Sequence, residues 1–77
     1  IIDHDCIIGE YSHIAPNATL GGGVSVGAQC LIGAGSIILP DIKIGNNVVI
    51  GAGSVVVKNV KDSQIIVGVP GKEIRKK

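Results

Sequence analysis

The sequence contains no Phe, Trp or Met and a single Tyr. A core of aromatic plates is therefore excluded, and the buried side chains must be Ile, Val, Leu and Ala. Charge is also sparse: seven Lys and Arg against six Asp and Glu leave a net charge of +1 at pH 7. That excludes the broad positive field of a nucleic-acid-binding protein. Basic residues gather only near the end, at Lys72, Arg75, Lys76 and Lys77. No apolar run approaches the ~20 residues of a membrane-crossing helix, no signal peptide is visible, and the expected location is the cytoplasm. Seventy-seven residues make one small domain at most. With no Met anywhere, the chain reads as a fragment or a processed product, so a further domain is expected upstream.

What the sequence has in quantity is aliphatic residues and 12 glycines, and they are periodic. Every sixth residue from Ile2 is aliphatic: Ile2, Ile8, Ile14, Leu20, Val26, Ile32, Ile38, Ile44, Ile50 and Val56. The residue after the mark is Gly in six of these ten hexapeptides. Four residues after each mark come Cys6, Ser12, Ala18, Val24, Cys30, Ser36, Ile42, Val48, Ser54 and Val60, all uncharged and none larger than Ile. A helical period does not fit marks spaced six apart. The spacing is that of a parallel β-helix built from hexapeptides. Each hexapeptide makes one face, with the aliphatic mark inward, the small residue filling the interior near a corner, and glycine easing the bend.

Triangular coils of about eighteen residues then stack like on like at the ~4.8 Å strand spacing. The expected columns are Ile2, Leu20, Ile38 and Val56; Ile8, Val26 and Ile44; and Ile14, Ile32 and Ile50. The expected coils occupy residues 1–60, with an uncovered first coil. Residues 61–77, KDSQIIVGVPGKEIRKK, leave the period and read as a capping tail: a strand-like segment, a turn at Gly68, Pro70 and Gly71, and a short helical end. Cys6 and Cys30 both fall on inward positions on different faces, so they read as buried small hydrophobes and not as a disulfide or a nucleophile.

Outward positions are free to carry function. His4 lies two residues after an inward mark and His13 one before the next, so both should lie outside the core. One and a half faces separate them, so within one chain they should not meet. A lone outward histidine is by default ordinary surface. His4 departs from that default because Asp3 and Asp5 flank it, and a carboxylate beside an imidazole orients the ring and stabilises its cationic form, as a general base requires.

At H-D-C-I-I-G-E-Y-S-H-I-A-P, and again at G-V-P-G-K, the chain resembles the hexapeptide acyltransferases. More narrowly it resembles the group of sialic-acid O-acetyltransferases and bacillosamine N-acetyltransferases, over essentially all its length. The resemblance implies a left-handed β-helix, an all-β fold of about three coils plus the tail. It also implies a homotrimer, acetyl-CoA as co-substrate, and a sugar or nucleotide-sugar acceptor bound partly by an N-terminal domain that this sequence lacks. His4 would be the catalytic base and Asp5, where the family often has Glu, the residue that strengthens it. His13 would contact acetyl-CoA near the acyl end, Gly22 would offer its amide to the thioester oxygen, and Ala34 and Ala52 would line the pantetheine groove. Gly68 to Lys72 resemble the family's G-V-P-A-K, with Gly71 for Ala, and Lys72 would meet the coenzyme A phosphates.

No side chain is a convincing covalent nucleophile, so direct attack in a ternary complex is expected. Three other readings compete. The γ-type carbonic anhydrases share this fold but bind zinc with three histidines, one more than this chain has, and no metal site is expected. A non-catalytic trimerising scaffold, or a fragment without its acceptor-binding domain, fits the repeat equally well. An ice-binding solenoid would want a ladder of threonines, and only Thr19 is present.

Overall fold

The computed structural model describes residues 1–76, and no helix occurs among them. Nine two-residue strands succeed one another at six-residue steps. They are β1 (Ile7–Ile8), β2 (His13–Ile14), β3 (Thr19–Leu20), β4 (Ser25–Val26), β5 (Leu31–Ile32), β6 (Ile37–Ile38), β7 (Lys43–Ile44), β8 (Val49–Ile50) and β9 (Val55–Val56). Two longer strands follow, β10 (Gln64–Val67) and β11 (Lys72–Lys76). Every third strand stacks in parallel, which makes three sheets: β3-β6-β9, β1-β4-β7 and β2-β5-β8-β10, the last extended by antiparallel β11. The chain is a parallel β-solenoid of about three turns, as the six-residue period predicts, and it is consistent with the left-handed β-helix that the resemblance implied. The three sheets are called here the first face (β3-β6-β9), the second (β1-β4-β7) and the third (β2-β5-β8-β10).

The columns fall as the spacing predicts. Leu20 pairs with Ile38 and Ile38 with Val56; Ile8 with Val26 and Val26 with Ile44; Ile14 with Ile32 and Ile32 with Ile50. Leu20, Ile32, Ile38 and Ile50 are sealed inside, whereas in the first described coil Ile2 is 50% and Ile8 36% exposed. The small positions from Ala18 to Ser54 are buried. Several of them also tie one coil to the next. The Cys6 thiol points to the Gly21 carbonyl at 3.3 Å, the Ser12 hydroxyl donates to the Gly27 carbonyl at 2.7 Å, and the Cys30 thiol points to the Gly45 carbonyl at 3.0 Å. Both cysteines are free thiols. Each fills an inside corner and gives its hydrogen to the coil below, so no buried side-chain polar atom among the described residues is left unpaired.

Two expectations are corrected. The bends do not fall on the glycines that follow the marks. The backbone turns left-handed three residues after a mark, at Asp5, Tyr11, Asn17, Gly23, Gln29, Gly35, Asp41, Asn47 and Gly53, with φ between 57° and 76°. The glycines directly after the marks answer a steric demand. A Cβ on Gly9 would stand 2.6 Å from the Gly27 carbonyl carbon, and one on Gly33 2.6 Å from the Ala52 nitrogen. Stacked backbones meet there too closely for a side chain.

The second correction concerns Val60, which is not a corner filler. It bridges to Ile44 sixteen residues away, where other coils place the partner eighteen away. Two residues are missing from the face after Val56, and Val60 becomes the next inward mark, with Ile66 following it onto Ile50. Asn59 repairs the shortened turn: its side-chain carbonyl accepts the Lys43 N–H at 2.8 Å, a bond that backbone supplies elsewhere. The repeat thus runs on into β10. The expected helical end is instead strand β11, which returns antiparallel along β10. It does so after a turn in which the Gly71 N–H donates to the Val55 carbonyl at 2.7 Å. Lys77, part of the basic end noted in the sequence, lies outside the described residues.

Candidate functional site

Each corner of the prism carries a stacked series of two-residue turns. Between the first and second faces the series is His4-Asp5, Gly22-Gly23 and Pro40-Asp41. The Gly23 N–H donates to the His4 carbonyl at 3.2 Å and the Asp41 N–H to the Gly22 carbonyl at 3.0 Å. His4 therefore heads a ridge, with the triple glycine directly beneath it.

The imidazole is held from both flanks. Asp5, in the left-handed conformation at φ 62°, brings Oδ2 to 3.0 Å from His4 Nδ1. In the tautomer that donates Nδ1–H to this carboxylate, the Nε2 lone pair faces outward. Asp3 accepts the His4 backbone N–H on Oδ1 at 2.7 Å, and the same oxygen lies 3.8 Å from Nε2. His4 is 79% exposed, so the arrangement faces solvent.

Gly22 borders the free nitrogen. A Cβ built there would lie 3.5 Å from His4 Cε1 and 3.7 Å from Nε2. These are ordinary contact distances, so the fold does not demand a glycine here as it does at Gly21, where a Cβ would stand 2.7 Å from the Pro40 nitrogen. The equivalent turn positions lower on this and other ridges hold Pro40, Ala28, Ala34 and Ala52. The Gly22 amide N–H donates to no group among the described residues. A base with its lone pair free, an open volume beside it and an unused backbone donor can together perform a proton transfer next to a developing oxyanion.

The remaining expected residues lie elsewhere. His13 is exposed in β2 on the third face, paired through its backbone with Leu31, and does not meet His4 within the chain. Ala34 and Ala52 stack on the corner between the third and first faces, where the Gly53 N–H donates to the Ala34 carbonyl at 2.9 Å. Nothing stands within 4 Å of a Cβ built on Gly35 or Gly53, so that ridge is bare and open. Lys72 opens β11 and lines a cavity of about 530 Å³ at the far end of the prism, together with Lys58, Lys61, Val56, Val60 and Ile66. Thus His4, Asp5 and Gly22 come together, Ala34 and Ala52 come together, and His13 and Lys72 join neither group. The sequence reading gave no role to Asp3 beside Nε2 or to Lys58 and Lys61. For Lys58 a signal existed, since steps of eighteen residues from His4 lead through Gly22 and Pro40 to Lys58.

Comparison with known proteins gives two family matches. Residues 23–58 match the bacterial transferase hexapeptide (six repeats), and residues 1–40 match the hexapeptide repeat of succinyl-transferase. Among solved structures, a variant of perosamine N-acetyltransferase from Caulobacter crescentus, in complex with CoA and GDP-perosamine, is 40% identical. The match covers 94% of this chain and 34% of that one, with a TM-score of 0.91. PerB from the same organism, also with CoA and GDP-perosamine, is 42% identical over 95% of this chain and 35% of its own, with a TM-score of 0.93. Serine acetyltransferase from Brucella abortus in complex with coenzyme A is 31% identical over 99% of this chain and 34% of its own, with a TM-score of 0.94. The chain spans about a third of the length of the solved structures it matches.

Proposed function

The chain belongs to the hexapeptide-repeat transferases, and from that premise we propose that it is the β-helical part of an acetyl-CoA-dependent acetyltransferase acting on an amine or hydroxyl of a sugar or nucleotide sugar. The observation that carries this reading is the His4 ring, paired through Nδ1 with Asp5 at 3.0 Å and open at Nε2 beside Gly22. Coenzyme A in the perosamine and serine acetyltransferase structures, and GDP-perosamine in the former, support the choice of co-substrate and acceptor class.

In this mechanism His4 Nε2 takes the proton of the acceptor amine or hydroxyl as its lone pair attacks the thioester carbon. Asp5 holds the ring in the right tautomer and stabilises the imidazolium that forms. The carbonyl oxygen becomes an oxyanion and receives the unused Gly22 N–H. Collapse restores the carbonyl, the C–S bond breaks, and the proton on Nε2 passes to the departing thiolate. No acyl-enzyme is needed, which agrees with both thiols being turned inward onto carbonyls. The bare ridge of Ala34 and Ala52 suits the slender pantetheine arm, Lys72 suits a phosphate at its far end, and His13 suits the acyl end.

Because His4 and His13 lie on different sides of the prism, they can serve one site only across a subunit boundary. We therefore place the groove between neighbouring chains of a homotrimer. Exposed Ile37, Leu39 and Val57 on and beside the first face give such an assembly apolar surface to bury. Calorimetry with acetyl-CoA, followed by acetyl transfer in the His4→Ala variant, tests the assignment. Replacement is expected to lower kcat by about 10²-fold or more with binding retained. Full activity in that variant would remove His4 as the base, and absence of acetyl-CoA binding would favour the non-catalytic scaffold.

A further inference from the structure

The two aspartates that flank His4 are not equivalent, and the difference bears on which acceptor the site takes. Asp5 Oδ2 is hydrogen-bonded to Nδ1 at 3.0 Å, whereas Asp3 Oδ1 stands 3.8 Å from Nε2, beyond hydrogen-bond reach of the nitrogen that would do the chemistry. An atom carrying two hydrogens fits between them at about 2.8–3.0 Å from each. Asp3 is held in that position because Oδ1 also accepts the His4 backbone N–H at 2.7 Å. Its side chain is 55% exposed, so its remaining lone pairs are open to a ligand. Among the described residues no lysine or arginine pairs with Asp3. The missing side chain at Gly22 leaves room on the same side of the ring, 3.7 Å from Nε2.

We infer that Asp3 is the acceptor-selecting residue: its carboxylate receives the ammonium form of an amine beside His4 Nε2, and the transfer is N-acetylation. The inference rests on the acetyltransferase reading above and narrows it. An amino sugar arrives at neutral pH largely as R–NH3⁺, and a carboxylate beside the base attracts that form, while a sugar hydroxyl brings no charge to Asp3. The ammonium gives one proton to water, which frees the lone pair. The nitrogen then attacks the thioester carbon and forms the C–N bond. Its second proton passes to Nε2, and the C–S bond breaks as that proton moves to the coenzyme A thiolate. Amine, acetyl-CoA and products balance with one proton released to solvent.

The test measures release of coenzyme A thiol from acetyl-CoA with two acceptors: GDP-perosamine, and the same nucleotide sugar carrying a hydroxyl in place of the amine. Wild type, Asp3→Asn, Asp3→Glu and His4→Ala are compared. Asp3→Asn keeps an oxygen to accept the His4 N–H and removes only the charge. The expected result is transfer to the amine by wild type, a rise in its KM on the order of tenfold or more in Asp3→Asn with kcat within about threefold, and recovery of most of the affinity in Asp3→Glu. His4→Ala should instead lose kcat. An unchanged KM for the amine in Asp3→Asn, with His4→Ala inactive, would overturn the role of Asp3 and leave the acetyltransferase reading standing. So would faster transfer to the hydroxyl acceptor. Failure of wild type to acetylate either acceptor would overturn both.

Discussion

The Gly22→Ala variant separates what the fold needs from what the proposed chemistry needs. Gly22 follows Gly21 and precedes Gly23, and both neighbours are constrained: a Cβ on Gly21 would meet the Pro40 backbone at 2.7 Å, and Gly23 has φ +76° with the Asp41 carboxylate where a Cβ would stand. Gly22 has neither constraint. Its φ lies outside the left-handed region, and the added methyl would sit 3.5–3.7 Å from the His4 ring and carbonyl. Such a replacement loses no contact and reduces the freedom of the unfolded chain, a gain of about 0.4–1 kcal/mol. For a chain of this size that is a rise in Tm of roughly 2–8 °C. Gly33→Ala provides the contrast. Its methyl would stand 2.6 Å from the Ala52 nitrogen and 2.7 Å from the Ile50 carbonyl oxygen, both backbone. The coils must part there, at a cost of about 2 kcal/mol or more. Activity should respond in the opposite sense. The Gly22 methyl occupies the volume beside Nε2 through which the thioester must reach the amide donor, and displacing a reacting group by ~1 Å costs about 10²-fold in rate. Thermal denaturation and acetyl-transfer kinetics on the two variants read both effects. A Gly22→Ala protein that melts below wild type would refute the steric argument. One that folds and transfers at the wild-type rate would show that the space beside His4 is not where the reaction occurs.

Three further outcomes follow from the same geometry. Asn59→Ala leaves the Lys43 N–H without its 2.8 Å acceptor at the shortened turn; a loss of about 1 kcal/mol is expected in urea unfolding, and an unchanged midpoint would mean that water replaces the bond. Ser36→Ala removes a fully buried hydroxyl that donates to the Gly33 carbonyl and approaches the Gly51 carbonyl at 3.4 Å; it should cost about 1 kcal/mol, whereas Ser36→Val should cost more by overfilling the corner. Refolding a 1:1 mixture of His4→Ala and His13→Ala chains should restore about a quarter of wild-type activity, because one boundary in four of a cyclic trimer then pairs an intact His4 with an intact His13. Activity no greater than the sum of the two parents would place both histidines in one chain or in separate roles.

Much of the architecture was written in the spacing of the sequence, and the reason is physical. A hexapeptide solenoid contacts only its neighbouring coils, so each inward position makes the same demand as the one eighteen residues away, and a single period states the register of every strand. The columns from Leu20 to Val56 and from Val26 to Ile44 follow from that rule alone. The rule fails where a side chain stands in for backbone. Nothing in the spacing says that Asn59 will complete the turn beneath Lys43, and without that bond Val60 counts as a filler and not as a mark. The glycines misled for a related reason. Their frequency was legible, but two different causes produce it, close backbone approach after the mark and left-handed φ two residues later, and composition does not distinguish them. The second cause is met more often by Asp, Asn, Gln, Tyr and Ser, at seven positions, than by Gly, at four.

The candidate site was legible to the extent that it depends on adjacent residues. Asp5 reaches His4 because the turn between them is left-handed, a property of two neighbours. Gly22 reaches His4 because eighteen residues make one coil. What the linear sequence could not express is direction around the ring: that Asp5 would take Nδ1 and leave Asp3 on the side of Nε2. In the proposed mechanism this division gives the two carboxylates different work, one to orient the base and one to meet what the base acts on. It also explains why a solenoid can carry such chemistry on an exposed ridge. The ridge fixes the backbone of His4 and Gly22 through the coil-to-coil ladder, so only the ring torsions need ordering, and the Asp5 carboxylate restricts those. The ridge does not exclude water, and with His4 79% exposed the oxyanion would form in a high-dielectric setting where a single amide donor is worth little. A second chain laid against the ridge changes that. The apolar residues beside the same corner, Leu39 and Val57, are where such a chain would seat. If the proposed transfer takes place at His4, the demand for a partner subunit therefore arises from the electrostatics of its transition state, independently of where His13 lies.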